Sequence, residues 1–384
     1  MMRGAVVALI FLLLGTLAAS AEEDVVLTGT HQGADYLLHR PTGWNGGLVL
    51  FAHGYSGEGK GRGEIADGYL RPHLEAGQYA FATSGYRATT YRPDWFLEDL
   101  VAVRALFVEK FGTPRWTILY GDSMGGHVVV AGLETHPTLF QGGMAECGVV
   151  DGVGLIDWFY AYTAAAEYLS GVPLLDASPD DFEKAREKFV AVMGKPGAYT
   201  ERGRRFDSVV RHLAGGDLPL WEESLAENYL DDLRARRPGP NYAQEFARHA
   251  DTRGIVYGIA PGLGVDAATL NRDIRRVVPE PGARTSAVPA FAPFTGRIRV
   301  PLISLHTTGD TDVPFRLEQN YRRRTIAAGT DRLLVQRTQR RAKHCAFDAS
   351  FREAAFDDLV KWIERGVVPK GENVLGDVSK LGEP

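Results

Sequence analysis

The chain has 384 residues, 45% hydrophobic and 24% charged, with a formal charge of -5 at pH 7. That is more than one compact domain usually needs, so one large domain carrying an insertion is expected. Acidic residues dilute the arginine clusters (Arg202 to Arg205, Arg322 to Arg324, Arg337 to Lys343), which excludes a nucleic-acid-binding surface and leaves them as solvated helix faces and loops.

At the start, Met1 to Ala21 has one positive residue (Arg3), an apolar stretch from Ala5 to Leu14, and Ala19-Ser20-Ala21 before Glu22. This is the pattern of a secretory signal peptide. An uncleaved anchor is the alternative, but the stretch falls short of the ~20 residues a membrane span needs. The mature protein is expected to be secreted or periplasmic, with no stable membrane insertion after cleavage. Such a compartment permits a disulfide, and there are two cysteines, Cys147 and Cys345.

Val25 to Leu27 and Tyr36 to His39 form short entry strands around a turn at Gly33. Leu48 to Ala52 is a continuous apolar run, as in a buried parallel strand, closed by His53-Gly54-Tyr55-Ser56-Gly57. A short helix over Tyr69 to Ala76, a strand over Tyr79 to Thr83 and an amphipathic helix over Asp94 to Phe111 follow, the last stopped by Gly112 and Pro114. The apolar run Trp116, Ile118, Leu119, Tyr120 then ends at Gly121, Ser123 stands between glycines, and a helical pattern runs from Met124 to Thr135. Gly143 to Val150 is the next strand. From 151 to 299 the alternation stops: helical patches (Ile156 to Leu169, Pro179 to Met193, Phe206 to Leu213, Leu220 to Arg236) lead into a passage rich in proline and glycine. The sheet resumes at Val300 to His306, followed by the loop Thr307 to Pro314, a helix over Phe315 to Ala328, a strand over Leu333 to Gln336, a loop carrying His344, and a helix over Phe351 to Arg365.

Strands alternating with helices through short connections make a mostly parallel central sheet flanked by helices, an α/β fold whose ligand site lies beyond the carboxyl ends of the strands. Residues 22–150 and 300–384 are assigned to this domain. Residues 151–299 are a large helical cap inserted after the strand ending near Val150.

Strand, sharp turn and helix around Ser123 hold a serine in a strained backbone conformation so that its hydroxyl projects from the sheet. A serine hydroxyl is a poor nucleophile at neutral pH and needs a general base. His344, between the last strand and last helix, is the candidate base. Asp310 is the candidate acid that would orient it, with Gly309 giving the turn before it and Val313-Pro314 fixing the loop behind. Asp312 is the alternative acid, and Asp151 and Asp157 are more remote ones. The bland account of Gly309 to Asp312 is a turn with solvated carboxylates or a weak calcium site. Attack creates an oxyanion, for which the backbone N–H groups of Tyr55 and of Met124 are the expected donors.

His53-Gly54-Tyr55, Gly121-Asp122-Ser123-Met124-Gly125-Gly126, Gly309 to Pro314 and His344-Cys345-Ala346-Phe347 together resemble the loops of the α/β-hydrolase superfamily, over about Val25 to Val150 and Val300 to Pro369. Cys147-Gly148, His344-Cys345-x-Phe347 and Trp362-x-x-x-Gly366 look more narrowly like secreted bacterial esterases and prolyl oligopeptidase-like serine hydrolases. Tannases and feruloyl esterases also carry a cysteine beside the catalytic histidine, but pair it with one just before the nucleophile, where this chain has Asp122. Were Cys345 bridged within the chain, Cys147 would be its partner; two unpaired buried thiols are the alternative.

The resemblance implies a secreted serine hydrolase that cleaves carboxylic esters through an acyl-enzyme, with no cofactor and no metal. Its substrate would be a small-molecule or polymeric ester. A prolyl oligopeptidase-like peptidase is the alternative enzyme, although the chain has no sequence for a propeller domain, and a non-catalytic binding protein of the same fold is the alternative outside enzymes. Trp158, Phe159, Tyr160, Tyr162 and Tyr168 in the cap suit either an aromatic-lined pocket or the cap's own core. Oligomeric state is not legible.

Overall fold

The computed structural model describes residues 23–57, 63–231, 233, 242–285 and 289–383. The expected signal peptide, Met1 to Ala21, lies outside these residues. Among the described residues, no helix is long and apolar enough to cross a membrane.

Eight strands form one sheet: β1 (Val25–His31), β2 (Ala34–Arg40), β3 (Gly47–Ala52), β4 (Ala80–Ser84), β5 (Trp116–Asp122), β6 (Gly142–Glu146), β7 (Leu302–Gly309) and β8 (Leu334–Ala342). Their spatial order is β1-β2-β4-β3-β5-β6-β7-β8. The hairpin β1–β2 and the pair β2–β4 are antiparallel; every other pair is parallel. The register sets Ala52 beside Gly121 and Asp122 beside Glu146, so the carboxyl ends of β3, β5 and β6 open at one level.

The central strands are apolar on both faces because both are covered. Leu48, Leu50 and Leu119 join the core on one side with α2 (Pro93–Phe111) and α3 (Met124–Thr135). Val49, Phe51 and Ile118 join the core on the other side with α11 (Ala349–Arg365), whose Phe356 and Leu359 they meet.

Between β6 and β7 the chain forms α4 (Val153–Ser170), α5 (Pro179–Met193), α6 (Glu201–Ala214), α7 (Trp221–Asn228), α8 (Tyr242–His249) and α9 (Ala267–Asp273). Rings of this segment pack on one another: Tyr162 on Phe206, Phe189 on Phe206 and Tyr229, Trp158 on Trp221. The segment is followed, after β7, by α10 (Arg316–Ala328).

Several boundaries differ from the sequence expectation, among them the strand expected at Val300 to His306, which runs from Leu302 to Gly309, and the helix expected at Phe206 to Leu213, which begins at Glu201. The strand expected to end near Val150 stops at Glu146: Cys147 has φ +45°, and the Val149 N–H turns back to donate to the Ser123 carbonyl, 3.0 Å. Residues 147–150 are apolar because they are buried against the Ser123 turn, not because they extend the sheet. The helix expected from Leu220 to Arg236 has only α7 as its regular part, and its end at 234–236 lies outside the described residues. β8 runs on through Arg337 to Ala342, since it is the last strand of the sheet and its polar residues reach solvent or the C-terminal tail, where Glu372 N–H donates to Gln336 O, 2.8 Å.

Candidate active site

Ser123 sits between β5 and α3 at φ +53°, ψ -119°, a conformation an L-residue holds only when its surroundings enforce it. Its N–H donates to Glu146 O (3.0 Å) and its carbonyl accepts from Gly126 (2.9 Å) and Val149 (3.0 Å). Gly125 lets the turn close: a side chain there would overlap the Ala52 carbonyl at the end of β3.

His344 follows β8 and is flanked by two residues in the left-handed region, Lys343 at φ +72° and Cys345 at φ +56°. Cys345 stands at disulfide distance from Cys147, Cα atoms 5.2 Å apart. His344 Nδ1 donates to Asp310 Oδ2 at 2.6 Å, and Asp310 Oδ1 accepts the Val313 N–H at 3.0 Å. Asp310 is fully buried at the end of β7. Asp312 instead accepts from Asn228 Nδ2 of α7, 2.8 Å. Asp151 pairs with Arg324 and Asp157 with Arg284, both away from His344. The structure thus brings Asp310 to His344 and leaves the three other carboxylates on different partners.

Ser123 and His344 open into one cavity of about 190 Å³ that Tyr55, Met124 and Asp312 also line. Tyr91, Val149, Leu155, Phe159 and Val313 make its apolar walls. Met124 is the first residue of α3, where backbone N–H groups have no helical partner. The Tyr55 loop is held by Tyr86 Oη, which donates to His53 O at 3.1 Å, and by the Gly54 N–H, which donates to the Asp122 carboxylate.

Burial pulls the His344 imidazole down, but Asp310, with Asp312 and Asp122 nearby, outweighs it and lifts the group to about 9. For Asp310 burial works upward, yet His344 and His306 hold the carboxyl below its ordinary range. Burial and the neighbouring Glu146 push Asp122 up to about 6.

Some contributors carry no sequence signal. His306 lies behind the acid, where its Nε2–H donates to Val313 O at 3.0 Å and stands 3.9 Å from Asp310 Oδ2. Glu146 and Arg352 form a buried pair at 2.5 Å beneath the two cysteines, with Tyr120 Oη donating to the same carboxylate at 2.7 Å. Leu155 and Phe159 reach the cavity from α4; Phe159 is one of the aromatics that suit an aromatic-lined pocket on sequence, and Leu155, four residues before it, shares its helix face. Cys147, His344 and Cys345 bring donor atoms within 4.8 Å of one another, but sulfurs bonded to each other do not serve as thiolate ligands. Both Asp310 oxygens already meet protein donors, unlike those of a calcium loop.

No protein-family model matches the chain. Feruloyl esterase B from Aspergillus oryzae aligns over 90% of this chain and 82% of its own, with a TM-score of 0.52 and 12% identity. The chain has the α/β-hydrolase fold. A Pyrococcus horikoshii acylaminoacyl peptidase aligns over 93% of this chain, which spans 44% of that protein's length, with a TM-score of 0.47 and 11% identity. An o-phthalyl amidase from Xanthobacter agilis is 23% identical over 419 aligned positions, 91% of this chain and 90% of that one. In the α/β-hydrolase fold a nucleophile, an acid and a histidine follow one another in the order in which this chain has Ser123, Asp310 and His344.

Proposed function

We propose that this protein is a secreted serine hydrolase that cleaves carboxylic esters through an acyl-enzyme. What carries the proposal is the His344 to Asp310 bond at 2.6 Å over a cavity shared with Ser123 in its strained turn.

With Nδ1–H on Asp310, His344 keeps Nε2 for the Ser123 hydroxyl. As Oγ attacks the substrate carbonyl, Nε2 takes its proton and Asp310 stabilises the imidazolium. The oxyanion is received by the N–H groups of Tyr55 and Met124, each worth ~3–4 kcal/mol in the transition state. His344 returns the proton to the leaving alcohol, then activates water to release the acid. The cavity of about 190 Å³ suits an acyl group of modest size, aliphatic or a single aromatic ring, against Leu155 and Phe159.

A second reading, an amidase acting on an aromatic acyl amide, is favoured by the likeness to o-phthalyl amidase along nearly the whole chain. The same groups would serve, with His344 protonating an amine.

The test is reaction of the purified protein, lacking residues 1–21, with a fluorophosphonate probe. Wild type is expected to label, Ser123→Ala not at all, and His344→Ala and Asp310→Asn weakly. A folded wild type that takes no label rejects the hydrolase. Rates on matched phenyl esters, anilides and phthalyl amides then separate esterase from amidase.

A further inference from the structure

Asp310 has a histidine on either side. His344 Nδ1 donates to its Oδ2 at 2.6 Å, and His306 Nε2 stands 3.9 Å from the same oxygen. His306 lies on β7, four residues before Asp310, and is 1% exposed. The Ser123 cavity is lined by His344 and not by His306, so this second imidazole has no access to a substrate.

What His306 does touch is the acid loop. A carbonyl oxygen only accepts, so the 3.0 Å contact with Val313 O puts a proton on His306 Nε2. The N–H of that same Val313 donates to Asp310 Oδ1 at 3.0 Å. Val313 is thus held at both ends, its carbonyl by His306 and its N–H by Asp310, and the turn closes behind the carboxylate. The imidazole has little freedom of its own. Phe315 meets the ring edge-on, centroids 5.4 Å apart, and Nδ1 faces Glu318 Oε1 of α10 at 3.7 Å. Glu318 is fixed in turn: Oε1 accepts from Ser304 Oγ and Oε2 from Gln336 Nε2, each at 2.5 Å. A line of contacts therefore runs from α10 and β8 through His306 and Val313 to the oxygens of Asp310. Against burial, and after His344, His306 is the next group that holds the Asp310 carboxyl below its ordinary range. Nδ1 makes no hydrogen bond, so a polar ring with one unmet nitrogen is kept in the core where an apolar side chain would cost less. What the fold gains for that cost is a fixed acid.

We propose that His306 is a positioning residue for the hydrolase reaction: its Nε2–H bond to the Val313 carbonyl sets the acid loop so that Asp310 presents Oδ2 to His344. This rests on the reading of Ser123, Asp310 and His344 as a triad, and it gives His306 no contact with substrate.

Two measurements on the resting protein read the loop without turnover. In wild type carrying isotopically labelled histidine, nuclear magnetic resonance is expected to find the His306 ring protonated at Nε2; a ring protonated at Nδ1 alone cannot make the bond and overturns the proposal. The short His344 Nδ1–H bond to Asp310 is expected to give a proton resonance far downfield, assigned by its loss in His344→Gln. Wild type without that resonance lacks the bond through which His306 would act, which also overturns it. In His306→Leu the resonance is expected to vanish or move upfield, and kcat/KM on a phenyl ester to fall about a hundredfold, the scale of a catalytic group displaced by ~1 Å. His306→Gln, whose amide N–H can reach the Val313 carbonyl, is expected to restore both. A purely structural role would lower the melting temperature of His306→Leu but leave the resonance and the rate of the folded protein where they were; that outcome, or a Gln variant no better than Leu, overturns the proposal. Wild type that shows the resonance yet hydrolyses nothing rejects the hydrolase reading instead, and the fate of the resonance in His306→Leu still decides what sets Asp310.

Discussion

Cys345 is the residue next to His344, and its Cα lies 5.2 Å from that of Cys147, the residue that follows β6. A bond there fastens the histidine loop to the strand beside the serine strand across 198 residues of sequence. Closing so long a loop stabilises a fold by ~2–5 kcal/mol, with the mechanism model-dependent. Replacing both cysteines by alanine is expected to lower unfolding stability within that range and to lower kcat as the His344 loop loosens. Urea titration with and without reductant checks it, and equal midpoints would mean that the thiols are not joined.

The raised His344 sets a pH dependence with a definite sign. A general base works only when neutral, and Asp310 favours the charged form, so kcat/KM should rise with pH and flatten only on the alkaline side, around the value of about 9. Asp310→Asn removes the carboxylate, so the acid limb should move to lower pH while kcat falls by about four orders of magnitude. A pH–rate profile of both proteins decides. A limb that stays put in Asp310→Asn means that another group sets it.

Phe159 forms part of the apolar wall opposite Ser123. Its replacement by alanine should shift the best substrate toward longer acyl chains, with each extra methylene accommodated worth ~1–3 kcal/mol in kcat/KM. A series of p-nitrophenyl esters from acetyl to dodecanoyl measures the shift, and an unchanged chain-length profile would remove Phe159 from the acyl site.

His127 on α3 is buried with Nδ1 3.1 Å from Tyr91 Oη, and burial lowers its pKa to about 3. The folded state therefore keeps His127 neutral where the unfolded chain takes up a proton, so this residue costs stability progressively as pH falls from its ordinary 6.5 toward 3. His127→Gln should lose less stability than wild type between pH 6.5 and 4, as thermal melts across that window would record. Parallel losses would assign the acid sensitivity elsewhere.

The serine turn and the acid loop can be placed in the sequence because each follows an apolar strand and is bounded by glycine or proline; the histidine loop has neither residue near it and is placed by chain order, after the last apolar run Leu333 to Val335. Chain order alone left Asp310 and Asp312 in competition. They separate in three dimensions because Asn228, brought over from α7, engages Asp312 while Asp310 is buried against His344. Periodicity misjudged Cys147 to Val150, whose apolar character serves packing over Ser123, and it stopped β8 early because Arg337 to Ala342 is a strand without an apolar run. His306 and Arg352 take their places through contacts between residues distant in sequence, which leave no local pattern.

Gly125 meets the Ala52 carbonyl and Gly126 meets the backbone of Gly148, so the turn around Ser123 is keyed by main chain on both sides. Ala52 ends the strand that leads into the Tyr55 loop, and Gly148 follows the cysteine that anchors the His344 loop. The spacing among these three loops is therefore gauged by the thickness of the backbone itself. A methyl group added at Gly125 would push the end of the Ala52 strand, and with it the Tyr55 loop, away from the Ser123 turn, and one added at Gly126 would push away the stretch that carries Cys147.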